Sequence, residues 1–239
     1  MKVLVFSDVH ANLTALETVL ADAGVVDAYW FLGDLVGYGP DPNACVERVR
    51  ALPNLTRVLG NHDAAVLGRL SLSWFNREAR KLVQWTREQM TPENLDFLAA
   101  TPETAQAGDV LLVHGSPRAP VSEYILSTEV AAASFAAFTE PFCFVGHTHR
   151  PIRWQEEEGL VNVYLPATEP LTLQPRAILN PGSVGQPRDG DPRAAYAIYD
   201  TEAHTWAWHR VAYDVEAVQH RMLALGLSPL NAMRLALGK

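Results

Sequence analysis

Cysteine is scarce in this sequence: Cys45 and Cys143 are the only two, and neither sits in a Cys-x-x-Cys pattern. That excludes a disulfide framework and a cysteine-ligated zinc finger, and leaves two buried, reduced thiols as the reading. No apolar run reaches the roughly 18 residues of a membrane helix. The opening stretch, Met1-Lys2-Val3-Leu4-Val5-Phe6, has one basic residue and is too short for a signal peptide before Asp8 interrupts it. Base is in deficit as well. Lys and Arg number 19 against 27 Asp and Glu, a net charge of −8, so the chain lacks the basic face that bulk nucleic acid or an acidic membrane surface would require. A small phosphate ligand remains compatible where local cations offset the acid. No internal repeat, low-complexity tract or linker-like shift in composition divides the chain, and it reads as one domain over residues 1–239. The expectation is a soluble, cytoplasmic protein; self-association is possible.

What is present is a rhythm. Apolar residues make up 48% of the chain, enough for a substantial core. Residues 3–6 form a continuous apolar run, as expected of a strand buried on both faces. Asn12 then reads as a helix N-cap, and Leu13, Leu16, Val19 and Leu20 fall on one helical face ending near Gly24. Strand 29–32, a helix opened by Asp41-Pro42 and strand 56–59 follow, a βαβαβ order that implies parallel strands with right-handed crossovers. Residues 64–108 are helix-rich and are expected to be either an inserted helical cap or plain outer-layer helices. Strands return at 110–113 and 142–145, with a helix over 128–138 between them. Beyond Arg150 the pattern becomes antiparallel, with strands at 171–178, 194–199 and 205–211 and closing helices at 215–225 and 230–237. A long Gly/Pro loop, residues 180–190, lies among these strands, and loops of that length are often functional.

Polar residues collect just past the strands. Gly60-Asn61-His62-Asp63 follows the run Arg57-Val58-Leu59. A glycine there lets the backbone turn sharply and approach a neighbour closely. An amide, an imidazole and a carboxylate suit a hard or borderline cation, although an Asn-His pair also makes ordinary turns. Asp8 and His10, Asp34, His114, and His147 and His149 occupy the corresponding positions after other strands. Ligands of open parallel sheets bind outside the carboxyl ends of the strands. Asp8 and His10 are two residues apart, so an extended chain would point them to one side, and His147 and His149 repeat that spacing. His204, His209 and His220 lie outside the set. Asp8, His10, Asp34, Asn61, His114, His147 and His149 offer oxygen and imidazole donors and no thiolate. They are too many for one tetrahedral metal and suit two ions sharing one carboxylate, with the ions about 3.5–4 Å apart as a clamp for phosphoryl displacement.

These residues carry a resemblance. Asp8-x-His10, Gly33-Asp34, Gly60-Asn61-His62-Asp63, His114 and Gly146-His147-x-His149 resemble, in order, the motifs of the calcineurin-like metallophosphoesterases. Asn180-Pro181-Gly182-Ser183 resembles the small bacterial and archaeal phosphodiesterase subgroup. The resemblance implies an α/β fold, a four-layer α-β-β-α sandwich of two mixed sheets with a helical insert at about 64–108. It also implies roles: Asp8, His10 and His149 on one metal, Asn61, His114 and His147 on the other, and Asp34 bridging. His62 would serve as an acid or a stabilising cation, and Asp63 would orient it.

The implied reaction is phosphoester hydrolysis by a metal-bridging hydroxide, with two divalent transition-metal ions as cofactors. Oxygen and imidazole donors suit Mn, Fe, Zn, Co or Ni, with Mn the leading choice. The implied partner is a small phosphoester or nucleotide substrate, most simply a phosphodiester. A diadenosine polyphosphate hydrolase or a broad phosphomonoesterase with the same site is the alternative. A non-enzymatic scaffold of the same fold is the minor one, separable by hydrolysis of bis(p-nitrophenyl) phosphate with Mn²⁺. Metal ligands do not discriminate among phosphoesters, so the loop 183–190 and the insert are expected to set the substrate. Arg188 presents a planar fork suited to phosphate, unless it pairs with Asp189 or Asp191. Tyr38 and Arg150 are rival substrate contacts.

Overall fold

Alternating side chains build the layers. In the computed structural model, which describes residues 1–239, the elements run β1 (Lys2–Phe6), α1 (Leu13–Ala23), β2 (Ala28–Phe31), α2 (Pro42–Arg50), β3 (Leu55–Arg57) and α3 (Asn61–Val66). A 3-10 turn at Leu72–Trp74 leads into α4 (Arg77–Gln89), α5 (Pro92–Ala99), β4 (Thr104–Ala107), β5 (Val110–Val113), α6 (Thr128–Phe135) and β6 (Phe142–Phe144). The chain closes with β7 (Ile152–Glu157), β8 (Leu160–Tyr164), β9 (Leu171–Thr172), β10 (Ala177–Asn180), β11 (Ala194–Asp200), β12 (Thr205–Val211), α7 (Val215–Ala224) and α8 (Pro229–Leu237).

The strands form two six-stranded sheets, β3-β2-β1-β11-β12-β9 and β4-β5-β6-β10-β7-β8. Each has three parallel neighbours, β1–β2–β3 along one side of the first sheet and β5–β6–β10 at the centre of the second, and its remaining strands pair antiparallel. Successive residues of a strand face opposite sides of its sheet. Val3 and Val5 therefore enter the core between the sheets with Phe142, Phe144, Leu179 and Trp206. Leu4 and Phe6 enter a second core beneath α1, α2, α7 and α8. On the far face of the other sheet, Cys143 and Ile178 pack against Ala131 and Phe135 of α6. The result is helices, sheet, sheet, helix: the four-layer sandwich of two mixed sheets.

Two local expectations are corrected. The single strand expected at 171–178 is two strands in different sheets. Leu171–Thr172 pairs with β12, while Ala177–Asn180 lies between β6 and β7. Pro175 cannot donate to a ladder, and Arg176 turns the chain at φ 66. Within 64–108, Thr104–Ala107 is an edge strand paired antiparallel with β5; its Thr-Ala-Gln-Ala sequence has no strong apolar alternation to announce it. Helices α4 and α5 bury Ala79, Leu82, Val83 and Leu98 against the outer core of the first sheet.

Candidate metal centre

The parallel strands of both sheets deliver their following loops to one place. Asp8 N–H donates to Gly33 O at 3.0 Å and His10 N–H to Asp34 O at 3.0 Å, which ties the loop after β1 to the loop after β2. These segments are not extended. Asp8, His10, Asp34, His147 and His149 have φ of 55, 48, 59, 65 and 58°. The expectation that Asp8 and His10, or His147 and His149, share a side because they are two apart in extended chain is therefore corrected. They converge because left-handed residues wind each loop tightly around its own centre. The loop after β10 locks them: Ser183 Oγ and Gly185 N–H both donate to Asp8 O at 2.9 Å. A Cβ at Gly185 would fall on the Val9 carbonyl, and one at Gly60 would overlap the Asp34 carboxylate and amide. Gly60 itself has φ −92, so its glycine serves close approach rather than a left-handed turn.

The donor atoms meet in two groups. Asp8, His10, Asp34 and His149 bring one ligand atom each within 4.8 Å of one another, as do Asp34, His114 and His147. Asn61 joins the second group, with its Oδ1 at 3.1 Å from His114 Nε2. Metal–nitrogen bonds of about 2.0–2.1 Å place neighbouring ligands about 3 Å apart, and the observed separations are of that size. His10 Nε2 lies 3.1 Å from His149 Nε2, and His149 Nε2 lies 3.3 Å from Asp8 Oδ1. His114 Nε2 lies 3.3 Å from Asp34 Oδ2 and 3.2 Å from His147 Nδ1.

Tautomers sharpen the fit. A carbonyl oxygen only accepts, so the ring nitrogen beside one carries the proton. His10 Nδ1 faces Val36 O, His149 Nδ1 faces Gln186 O, His114 Nδ1 faces Leu32 O and His147 Nε2 faces Ser122 O. Each of these rings thus turns its other nitrogen toward the donor groups, the arrangement found in metal-ligating histidines. Burial, above all, holds His10 and His149 well below the usual imidazole value. Their Nε2 lone pairs therefore face each other, which is repulsive unless a cation lies between. Asp8 Oδ1 is buried with no hydrogen-bond partner, and Asp34 Oδ2 has only imidazole nitrogens near it. Such oxygens are costly to leave unsatisfied, and a divalent cation in each group would satisfy both.

The charges are arranged to the same end. Burial, reinforced by Asp34, pushes the Asp8 carboxyl up to about 7. Burial also pushes Asp34 up, but His114, His62 and His10 together outweigh it and hold its carboxyl well below the usual value. His114 is raised to about 9: burial works against its charge, and the Asp34 carboxylate beside it wins.

Asn61, His62 and Asp63 occupy the first turn of α3 and point three ways. Asn61 faces His114. His62 faces the cavity, with its ring centroid 4.5 Å from Tyr38 and 4.9 Å from both Phe75 and His10. Its Nδ1 is buried without a partner, and burial, chiefly, depresses it to about 4. Asp63 does not orient His62. Its carboxylate accepts the backbone N–H groups of Asp34, Leu35, Val36 and Gly60 at 3.0–3.2 Å. It clamps the turn that carries Asp34, while the His62 amide donates to Asp34 Oδ1 at 2.8 Å.

A cavity of about 200 Å³ opens over the second donor group. Tyr38 and Arg188 line it with His62, Asn61 and His147; Arg150 does not. Arg150 instead donates its Nε to Arg188 O. Arg188 pairs with neither acid next to it, since Asp189 pairs with Arg210 and Asp191 with Arg193. Its Nη2 donates to Gln186 Oε1 at 2.8 Å. Among the lining residues that the sequence does not single out are Trp74, which lies within the insert 64–108, Tyr124 and Arg234. Tyr124 stacks on His147 at 3.6 Å between ring centroids. No motif marks them.

Comparison with known proteins bears on this geometry. The model of the calcineurin-like phosphoesterase superfamily domain matches residues 1–204. The crystal structure of a metallophosphoesterase from Sphaerobacter thermophilus superposes with a TM-score of 0.92 at 50% identity, covering 100% of this chain and 99% of that one. An uncharacterized protein of Methanocaldococcus jannaschii is 36% identical over 99% of this chain and 98% of its own. A symmetrical bis(5'-nucleosyl)-tetraphosphatase of Chromohalobacter salexigens is 30% identical over 63% of this chain, a match that spans 58% of that enzyme.

Proposed function

The chain belongs to the calcineurin-like phosphoesterase superfamily and is a phosphoester hydrolase, and from that premise we propose that it cleaves phosphodiesters at a centre of two divalent ions. Asp8, His10, Asp34 and His149 would hold one ion. Asp34, Asn61, His114 and His147 would hold the other, with Asp34 common to both. The observation that carries this reading is the convergence of two buried carboxylates, Asp8 and Asp34, with imidazole nitrogens of His10, His114, His147 and His149, Asp8 Oδ1 being buried without a hydrogen-bond partner and Asp34 Oδ2 facing only imidazole nitrogens. Two bound ions supply Lewis-acid polarisation of the phosphoryl group and a water of lowered pKa. The set of oxygen and imidazole donors without thiolate is compatible with Mn, Fe, Zn, Co and Ni, with Mn the first ion to test.

The chain's own residues supply the rest. His62 lines the cavity from between Tyr38 and Phe75, with its Nδ1 buried beside Gly37. It is placed to hydrogen-bond a phosphoryl or leaving oxygen as charge develops there. Asp63 acts at one remove, by fixing the Asp34 turn. Arg188 brings a guanidinium to the cavity for phosphate oxygens that the ions do not reach. A second reading, hydrolysis of a dinucleoside polyphosphate, is favoured by the likeness to the Chromohalobacter tetraphosphatase and by a second arginine, Arg234, at the same cavity.

The experiment is a substrate panel on protein reconstituted with each metal: bis(p-nitrophenyl) phosphate, p-nitrophenyl phosphate and diadenosine tetraphosphate. Highest kcat/KM on the diester supports the first reading, and highest on the dinucleotide the second. Failure on all three substrates with Mn²⁺, Fe²⁺, Zn²⁺, Co²⁺ and Ni²⁺ overturns both.

A further inference from the structure

The cavity over the donor groups has a sign of its own. The chain carries net −8, yet no carboxylate is among the cavity's lining residues, and two guanidiniums are. They come from distant segments, Arg188 from the loop after β10 and Arg234 from α8, which lies beyond the matched family region 1–204. Neither pairs with an acidic side chain. Arg188 Nε is buried and unbonded, and its centre lies 5.8 Å from the Tyr38 ring centroid. Arg234 spends only Nε, on the main-chain oxygen of Lys239 at 2.8 Å. Burial first, then the charge of Arg188, presses Arg234 below its ordinary value. Like charges facing one small cavity repel, and an anion between them removes the cost.

The aromatic surroundings narrow the class. Trp74 is 69% exposed and Tyr124 43% exposed at the cavity, although indole and phenol rings normally bury most of their area. An exposed ring face beside cations is a stacking platform for a planar base, and such stacking tolerates any base.

We propose that α8 completes the substrate site: Arg234 and Arg188 together seat a second phosphoryl group of the substrate, and Trp74 stacks on its planar ring. The inference rests on the phosphoester-hydrolase reading of the metal centre and adds to it a substrate class, a phosphoester whose scissile phosphorus is joined to a nucleoside through a further phosphate. A substrate with a single phosphate would engage the donor groups and Arg188 and leave Arg234 unmatched.

The test measures binding separately from catalysis. Isothermal titration calorimetry of the Mn²⁺-reconstituted protein compares ADP with inorganic phosphate, which reaches the metal centre but carries neither the nucleoside-linked phosphoryl group nor the base. Wild type is expected to favour ADP, and Arg234→Gln to shrink that preference by about tenfold or more, the range for losing one charge-assisted hydrogen bond. Trp74→Ala is expected to weaken ADP and leave phosphate unchanged. A thermal melt checks that Arg234→Gln folds; Arg188→Gln, which leaves the Lys239 contact of Arg234 intact, is the second variant. Equal affinity of wild type for ADP and phosphate, or an undiminished ADP preference in both arginine variants, overturns the subsite. The two readings fail separately. Arg-dependent ADP binding without hydrolysis of any ester with Mn²⁺ sinks the hydrolase and keeps the subsite. Hydrolysis of bis(p-nitrophenyl) phosphate without an ADP preference does the reverse.

Discussion

Asp63→Asn exchanges one carboxylate oxygen for an amide that donates. Asp63 Oδ1 accepts from Leu35 and Val36 at 3.0 and 3.1 Å, and Oδ2 accepts from Asp34, Leu35 and Gly60 at 3.0, 3.2 and 3.2 Å. If the amide nitrogen takes the first position, the Val36 N–H loses its only acceptor here; if it takes the second, Asp34 and Gly60 lose theirs. In either case a donor is pressed against donors inside the protein. An orphaned buried donor costs about 1–3 kcal/mol, so the change is expected to destabilise by about 2–4 kcal/mol. For a chain of this size that lowers Tm by about 5–15 °C. The Asp34 turn should loosen with it, so metal content should fall along with activity. Scanning calorimetry of ion-free protein, with metal analysis of the reconstituted variant, reads both. A residue that merely oriented His62 would behave otherwise. Tm and metal content at wild-type values, with turnover alone lost, would falsify the clamp.

Further outcomes follow from the same geometry. Asp34→Asn is expected to lower occupancy of both ions, because Asp34 Oδ2 lies 3.6 Å from His10 Nε2 and 3.3 Å from His114 Nε2; metal analysis showing one ion at full occupancy counts against a shared ligand. His62→Ala is expected to keep both ions and lose about 10²–10⁴-fold in kcat, since the His62 amide, not its ring, bonds Asp34; normal kcat in a fully metallated variant removes it from the mechanism. His114 is held protonated up to about 9, with Asp34 overcoming burial, and a coordinating nitrogen must shed that proton. Mn²⁺ affinity should therefore fall as pH falls below about 9, by about tenfold per unit for one displaced proton; calorimetric affinities equal at about pH 6.5 and 8 contradict this.

Much of the site is legible in the sequence because each donor group sits directly after its strand. Asp8, Asp34, Asn61, His114 and His147 are all found within a few residues of the ends of β1, β2, β3, β5 and β6, and strands of one sheet direction deliver their ends to one edge. Side-chain direction is less legible. Asn61, His62 and Asp63 are consecutive, but they lie in the first turn of a helix, where neighbours in sequence do not face each other. The resemblance implied Asp63 as the partner of His62; in the helix its carboxylate is the partner of residues 34–36. Arg234 illustrates what local patterning does not reach. It is one basic residue on an amphipathic helix, and only the packing of α8 beside the loop after β10 brings it to the cavity.

The loop after β10 raises the question of whether it is architecture or recognition, and its residues divide between the two. Eleven non-glycine residues have positive φ, and Asp8, His10, Ala11, Asp34, Tyr38, His147 and His149 among them belong to the site or its immediate loops. Each such residue costs about 1–2 kcal/mol against ordinary backbone, so the site persists only where surrounding bonds over-determine it. Ser183 and Gly185 supply those bonds to Asp8 O, and Asn12 Nδ2 donates back to Gly185 O at 3.1 Å. Gln186 then accepts the His149 ring proton and, through its side chain, steadies Arg188. One short segment without a proposed metal ligand thus holds two donor loops in strained shape at its start and points a guanidinium at the cavity at its end. Changes at Ser183 or Gly185 should therefore act on ion binding, and changes at Arg188 on substrate choice, although these residues are at most five positions apart.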